Sequence, residues 1–168
     1  MSIEDKMKDL MEEKILMYAS EKFFKKDIKF TMESIAKDLS ISKKTLYKYF
    51  KNKDELLDRI ANLFKKDIAD KFESTFKTRK DSFVAFCEVF SYLGFKIGLK
   101  MDHYVVNEIK KIYPRIWKSF SDFRNNQINK YFPLIIKSGI KNGYIRKDVN
   151  IQVAFSMFFF VCKQYSNS

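Results

Sequence analysis

The chain has 168 residues, 46% of them hydrophobic, and carries a formal net charge of +12. That much apolar material buries a core in one or two small domains and excludes disorder, while only 4 Gly and 2 Pro and the lack of sustained period-2 alternation point to helices throughout. Residues 1–8 hold acidic side chains and no apolar h-region, and the longest apolar run, 153–162, is interrupted by Ser156 and falls short of the roughly 20 residues that span a bilayer. The expected location is therefore the cytoplasm, with no membrane partner. Cys87 and Cys162 stand far apart in apolar surroundings and are expected to be small buried hydrophobes. No CxxC or His-rich cluster exists, so no metal site or cofactor is implied.

A first helix is predicted over residues 5–25, with Leu10, Met11, Ile15, Tyr18, Ala19 and Phe23 as its apolar stripe. In the next segment Met32, Ile35, Ala36 and Leu39 fall at i, i+3, i+4 and i+7, one face of a helix of about two turns, with Thr31 placed to N-cap it. The run stops at residues 39–42, where Ser42 can cap another short helix beginning at Lys43. On that helix Leu46, Tyr49 and Phe50 share one face, Lys43, Lys44, Tyr47 and Lys48 the opposite one, and Thr45 the border. An apolar face that docks on the preceding helix, backed by a basic, hydrogen-bonding face free to enter a major groove, is the pattern of a helix-turn-helix.

Asn52 and Glu55 stand at N-cap and N3 of a fourth helix, continued by Leu56, Leu57, Ile60, Leu63, Phe64 and Ile68, which would tie the head to the second half of the chain. A helix over 82–100 offers Phe83, Phe86, Cys87, Phe90, Leu93 and Ile97 on its apolar side. A short one covers 103–113 and ends before Pro114, and a long one runs over 114–141, with Gly143 as its C-cap and Pro133 expected to kink or interrupt it. The last helix, 150–165, carries Val153, Phe155, Met157, Phe158, Phe160 and Val161 around most of its circumference and needs cover on both sides. The organisation expected is a helix-turn-helix DNA-binding domain at 1–53 and a separate helical domain at 54–168, for which the resemblance given below implies ligand binding and dimerisation.

Charge is unevenly spread: +4 over 1–53, zero over 54–99, +8 over 100–147 and zero over 148–168. Six lysines face Asp38 alone between residues 37 and 53, the local excess that a phosphate backbone selects for. With 28 Lys against 5 Arg, the composition carries the bias of an AT-rich genome, so the lysines of 100–147 read chiefly as solvated faces.

Phe24, Thr31, Ile35-Ala36, Ile41-Ser42, Thr45-Leu46-Tyr47 with Tyr49-Phe50, and Lys53 with Glu55-Leu56-Leu57 together give the chain a resemblance to the tetracycline-repressor-like (TetR) family of bacterial transcriptional regulators. Residues 135–149 look like that family's join between the seventh and eighth helices. The resemblance implies an all-α fold, an N-terminal three-helix helix-turn-helix head joined by a fourth helix to an antiparallel helical regulatory body. It further implies a homodimer on double-stranded DNA at a pseudo-palindromic operator, acting as a repressor. Carried over by position, Thr31, Tyr47 and Lys53 would hold phosphates, while Ser42, Lys43, Lys44, Thr45 and Lys48 would face the groove. Three departures from the pattern stand out. Ser40 replaces the usual turn glycine and would need positive φ; Lys44 replaces a frequent glycine in the reading helix; and the chain ends at Ser168, about one helix short of the usual nine, which implies a truncated sequence or a reduced dimer interface.

The same resemblance implies a small-molecule effector bound in the body, for which Phe83, Phe86, Phe90, Tyr104, Trp117, Phe120 and Met157 are candidate lining residues and His103 and Asn107 candidate polar anchors. An enzyme is not expected: there is no nucleophile elbow, no glycine-rich phosphate loop, and one histidine in the whole chain. The competing reading is a helical interaction protein that uses its basic face on RNA, an anionic membrane or an acidic partner.

Overall fold

The structure, a computed structural model, describes residues 3–24, 27–98, 103–154, 156, 157 and 160. Among the described residues the helices in chain order are α1 (Ile3–Phe24), α2 (Met32–Asp38), α3 (Lys43–Tyr49), α4 (Lys53–Thr78), α5 (Ser82–Gly98), α6 (His103–Ile112) and α7 (Pro114–Lys141). Residues 151–154, 156, 157 and 160 are also helical, and no strand occurs among the described residues. The fold is all-α, as the composition and periodicity predict.

The chain forms two compact units, and neither is continuous in sequence. The first comprises Met1–Lys65 and Lys100–Trp117, the second Lys66–Leu99 and Lys118–Ser168. The core of the first unit is built from Ile15, Ala19 and Phe23 of α1, Ile35 and Ala36 of α2, Leu46 of α3, Leu56, Leu57 and Ile60 of α4, and Val105 and Ile109 of α6, all nearly or fully buried. Leu10 of α1 and Leu63 of α4, both expected on core stripes, instead lie at least half exposed. The stripe of α1 is narrower than predicted because Ile15, Ala19 and Phe23 already fill the side that faces the other helices, and Leu10 lies off it.

In the second unit α5 buries Ala85 and Val89, whereas Phe90 is 60% exposed and Cys87 is exposed as a free thiol. The expected face of α5, and the buried role expected of Cys87, are thus corrected: the helix is apolar nearly all round, so the small residues, which allow closer approach, decide which side packs. Ile97, Phe155, Phe158, Val161 and Cys162 have side chains outside the described residues. Phe72, Phe76 and Tyr131 form an aromatic cluster, with Tyr131 4.4 Å from Phe76 and 4.9 Å from Phe72 between ring centres. Helix α7 runs through Pro133 without the interruption that is one of the two effects expected there. Pro133 and Asn129, whose carbonyl loses its donor, both face solvent, so water can take the place of the missing bond.

The start of α5 and the end of α7 are joined by one carboxylate. Asp81 caps α5 by accepting from the backbone N–H of Phe83 at 2.9 Å, and it also accepts from the Ser138 hydroxyl and the Asn142 amide, each at 2.7 Å. α7 then closes in a Schellman turn: the N–H of Tyr144 bonds Gly139 O at 2.8 Å, that of Gly143 bonds Ile140 O, and Gly143 has φ +79°. The hydrogen bonds to Asp81, that from Ser138 foremost, hold its pKa below the ordinary carboxylate value. A carboxyl whose pKa is lower in the folded state stabilises above its unfolded pKa and stops doing so as pH falls through the folded one. Asp81→Asn is therefore expected to lower the melting temperature at pH 7, with the gap to wild type closing as pH falls below about 4; melts recorded across pH 2 to 7 check this.

Candidate nucleic-acid interface

Two hydroxyl caps define the head. Thr31 accepts from the backbone N–H of Ser34 at 3.0 Å, and the Ser34 hydroxyl accepts from Thr31 N–H at 3.1 Å, a reciprocal box that starts α2. Ser42 accepts from the backbone N–H of Thr45 at 2.9 Å and starts α3; its hydroxyl also lies 2.8 Å from that of Thr45. Between them α2 ends in a Schellman turn, with Ile41 N–H bonding Ala36 O at 2.9 Å and Ser40 N–H bonding Lys37 O at 3.0 Å. Ser40 sits at φ 54°, the positive angle that the missing glycine predicts. The last turn of α2 is pinned to α1 by Asp38, which receives the Tyr18 hydroxyl and the Lys22 ammonium, each at 2.9 Å. Lys22, foremost, holds the Asp38 pKa down, so the acid within the lysine-rich stretch already has its counter-ion.

This geometry fixes which side of α3 is free. Leu46 is fully buried and Phe50 nearly so, Thr45 and Tyr49 are half-buried, and Lys43, Lys44, Tyr47 and Lys48 are exposed, as predicted from periodicity; Ser42 is exposed as well. Thr31 is exposed at the start of α2, on the same unit. The Lys43 ammonium lies 3.3 Å from the Glu33 carboxylate of α2.

Lys53, expected on a phosphate, has other partners. Its ammonium turns inward and donates to the carbonyls of Ile28, at 3.3 Å, and of Phe30, and it lies over the rings of Phe30 and Tyr113 at 4.5 and 5.3 Å. Burial pushes its pKa below the ordinary lysine value, the direction for a cation taken out of water. Tyr113, at the end of α6, donates its hydroxyl to the same Ile28 carbonyl at 3.1 Å, and its ring packs against Phe23. α6 is further joined to the α1–α2 linker by Lys29 and Glu108, 3.5 Å apart. Sequence reasoning missed Tyr113; its position just ahead of Pro114 was the available signal. Asn52 accepts from Glu55 N–H at 2.9 Å, but Glu55 reaches back to the N–H of Lys51, one residue earlier than the reciprocal cap predicts.

Two short helices locked at this angle, with the second presenting lysines and hydroxyls outward, form a helix-turn-helix. Residues 15–60, which hold all of it, match the family described as bacterial regulatory proteins, tetR family. The head is a tetR-family DNA-binding domain. A solved structure described as a probable transcriptional regulatory protein, RHA5900, is similar to the chain in fold, with a TM-score of 0.63, 20% identity and coverage of 87% of this chain and 79% of that one. No curated protein matches.

The residues predicted to line an effector pocket fall in both units. Asn107 is exposed and Trp117 half-buried in the first unit, where the Lys110 ammonium lies 4.9 Å from the indole. Phe83, Phe86 and Phe120 are half-buried in the second unit, Phe83 against Tyr144 and Phe86 against the exposed Phe90; Met157 is 63% exposed. The side chains of His103 and Tyr104 lie outside the described residues. Among the described residues no three or more His, Cys, Asp or Glu side chains are grouped so as to hold a metal ion, and no helix is long and apolar enough to cross a membrane.

The strained turn and the inward lysine each give an expected outcome. Ser40→Gly removes the Cβ penalty of a left-handed residue, about 1 kcal/mol, and should raise the melting temperature by roughly 2–4 °C in thermal denaturation. Lys53→Met leaves the Ile28 and Phe30 carbonyls short of a charged donor and should cost about 2 kcal/mol, a fall of roughly 4–8 °C. In a DNA titration across salt concentrations, the same variant should keep the wild-type salt dependence, because its ammonium is not on the outer face.

Proposed function

We propose that the protein is a non-enzymatic, ligand-responsive transcriptional regulator that binds a pseudo-palindromic operator as a homodimer and represses from it. The observation that carries the reading is the split of α3: Leu46 and Phe50 buried, and Lys43, Lys44, Tyr47 and Lys48 exposed on a helix whose start is capped by Ser42. In this reading Lys44, Thr45 and Lys48 meet base edges, Lys donating to guanine O6 or N7 and the Thr methyl meeting a thymine methyl, with Ser42 and Lys43 beside them. Thr31 and Tyr47 hold phosphates and set the register of the head. Lys53 acts from inside, by holding the α1–α2 linker on the start of α4. The half-buried Phe83, Phe86 and Phe120 supply apolar lining for an effector in the second unit, and a second copy covers the exposed Val153, Met157 and Phe160.

Selection of bound duplexes from a random pool tests the reading. A two-fold symmetric sequence with half-sites about one helical turn apart, or slightly more, is the expected product. Lys44→Ala and Thr45→Ala should each reduce discrimination between that duplex and random DNA by roughly 10-fold or more. Unselective retention of all polyanions, lost in parallel as salt rises, would instead identify a charge-driven binder.

A further inference from the structure

Lys43 and Glu33 join the two outer helix starts of the head. Lys43 is the first residue of α3, where the helix dipole disfavours a cation; Glu33 lies in the first turn of α2, where it favours an anion. The two side chains meet at 3.3 Å while staying 65% and 50% exposed. A pair this exposed contributes little to stability. Its larger effect is on the charge that the head offers to a polyanion. The Glu33 backbone N–H, foremost, and Lys43 hold the carboxyl of Glu33 below its ordinary pKa, so it is fully ionised at neutral pH. Lys44 and Lys48, on the same exposed side of α3, have no acid partner among the described residues.

We propose that Glu33 is a specificity-determining residue of the DNA-binding surface: by pairing with Lys43 across α2 and α3 it withholds that cation from sequence-independent phosphate contact. Lys44 and Lys48 then carry the electrostatic attraction from this helix, and they lie where groove contacts discriminate among bases. The inference rests on the proposed DNA-binding function. On random DNA the head can shift to whichever register serves a released Lys43, so freeing it adds a phosphate contact. On the selected operator the register is fixed by groove docking, and the gain is smaller. Glu33 thereby widens the gap between operator and random sequence.

The experiment is a two-by-two cycle of wild type, Glu33→Gln, Lys43→Ala and the double variant. Each is titrated with the duplex selected by wild type and with a random duplex of equal length, from low to high salt. Glu33→Gln should tighten random-duplex binding roughly five- to ten-fold at about 0.1 M salt, steepen its log–log salt dependence by about 0.9, and lower the operator-to-random ratio. In the Lys43→Ala background the same substitution should change neither affinity nor slope. An unchanged slope in Glu33→Gln, or an equal gain with Lys43 absent, overturns the proposal, the latter by showing that Glu33 acts through its own charge alone. Wild type that fails to distinguish selected from random duplex overturns the DNA-binding reading itself, before any variant is compared. Glu33 is exposed and Gln is nearly isosteric, so loss of folding does not confuse the comparison; matching melting curves confirm it.

Discussion

The angle between α2 and α3 is set by four residues, 39–42, and everything the head presents depends on it. Two backbone bonds turn the chain back over the end of α2, one residue takes a left-handed conformation, and the hydroxyl two residues further on starts α3. Shifting that hydroxyl by one position would rotate α3 by about 100° and carry Lys44 and Lys48 off the outer face. The same backbone device ends α7, with Gly143 in the left-handed position. One chain thus uses the turn twice, with glycine where α7 ends and serine in the head. The serine costs local stability, and the buried Ile35, Leu46 and Phe50 oppose it by holding the two helices together.

Formal charge overstates what the head offers to a partner. Lys22 is engaged by Asp27 and Asp38, Lys43 by Glu33, and Lys53 by two carbonyls and two rings. Each sits in the basic first 53 residues, yet each has a local partner that a count of lysines ignores. The cations left outward on α3 are narrower in extent and better aligned than the net charge of +12 suggests. Such economy matters for a groove binder, because undirected cations raise affinity for every sequence equally.

The head was the legible part of this sequence. Thr31 and Ser42 could be placed as caps because a hydroxyl ahead of an apolar face has few other reasons to be there, and Leu46 and Phe50 could be placed inside because polar residues mark the rest of a short helix. α5 offered no such contrast: Phe83, Phe86, Phe90, Ala85 and Val89 are all apolar, and only packing decides among them. Hence Phe90 and Cys87 emerged on the surface, and Leu10 and Leu63 did likewise at the margins of broader stripes. Lys53 illustrates a different limit. A lysine at the first position of a helix reads as a surface charge, and its turn inward depends on the carbonyls of Ile28 and Phe30 and on a tyrosine far along the chain. Periodicity describes a helix's own faces and is silent about partners at long separation.

That tyrosine carries a consequence for how the head comes into being. Tyr113 and Ile28 are 85 residues apart, and closing a loop of that size costs about 4 kcal/mol of chain entropy. The helices up to the start of α4 can assemble from near neighbours in sequence, but the place of Tyr113 against Phe23 and the Ile28 carbonyl stays vacant until α6 has been synthesised and brought back. A fragment cut shortly after the match at residues 15–60 would keep every groove-facing side chain and still lack one wall of its own interior. The boundary of the recognition motif and the boundary of the folding unit are therefore different places on this chain.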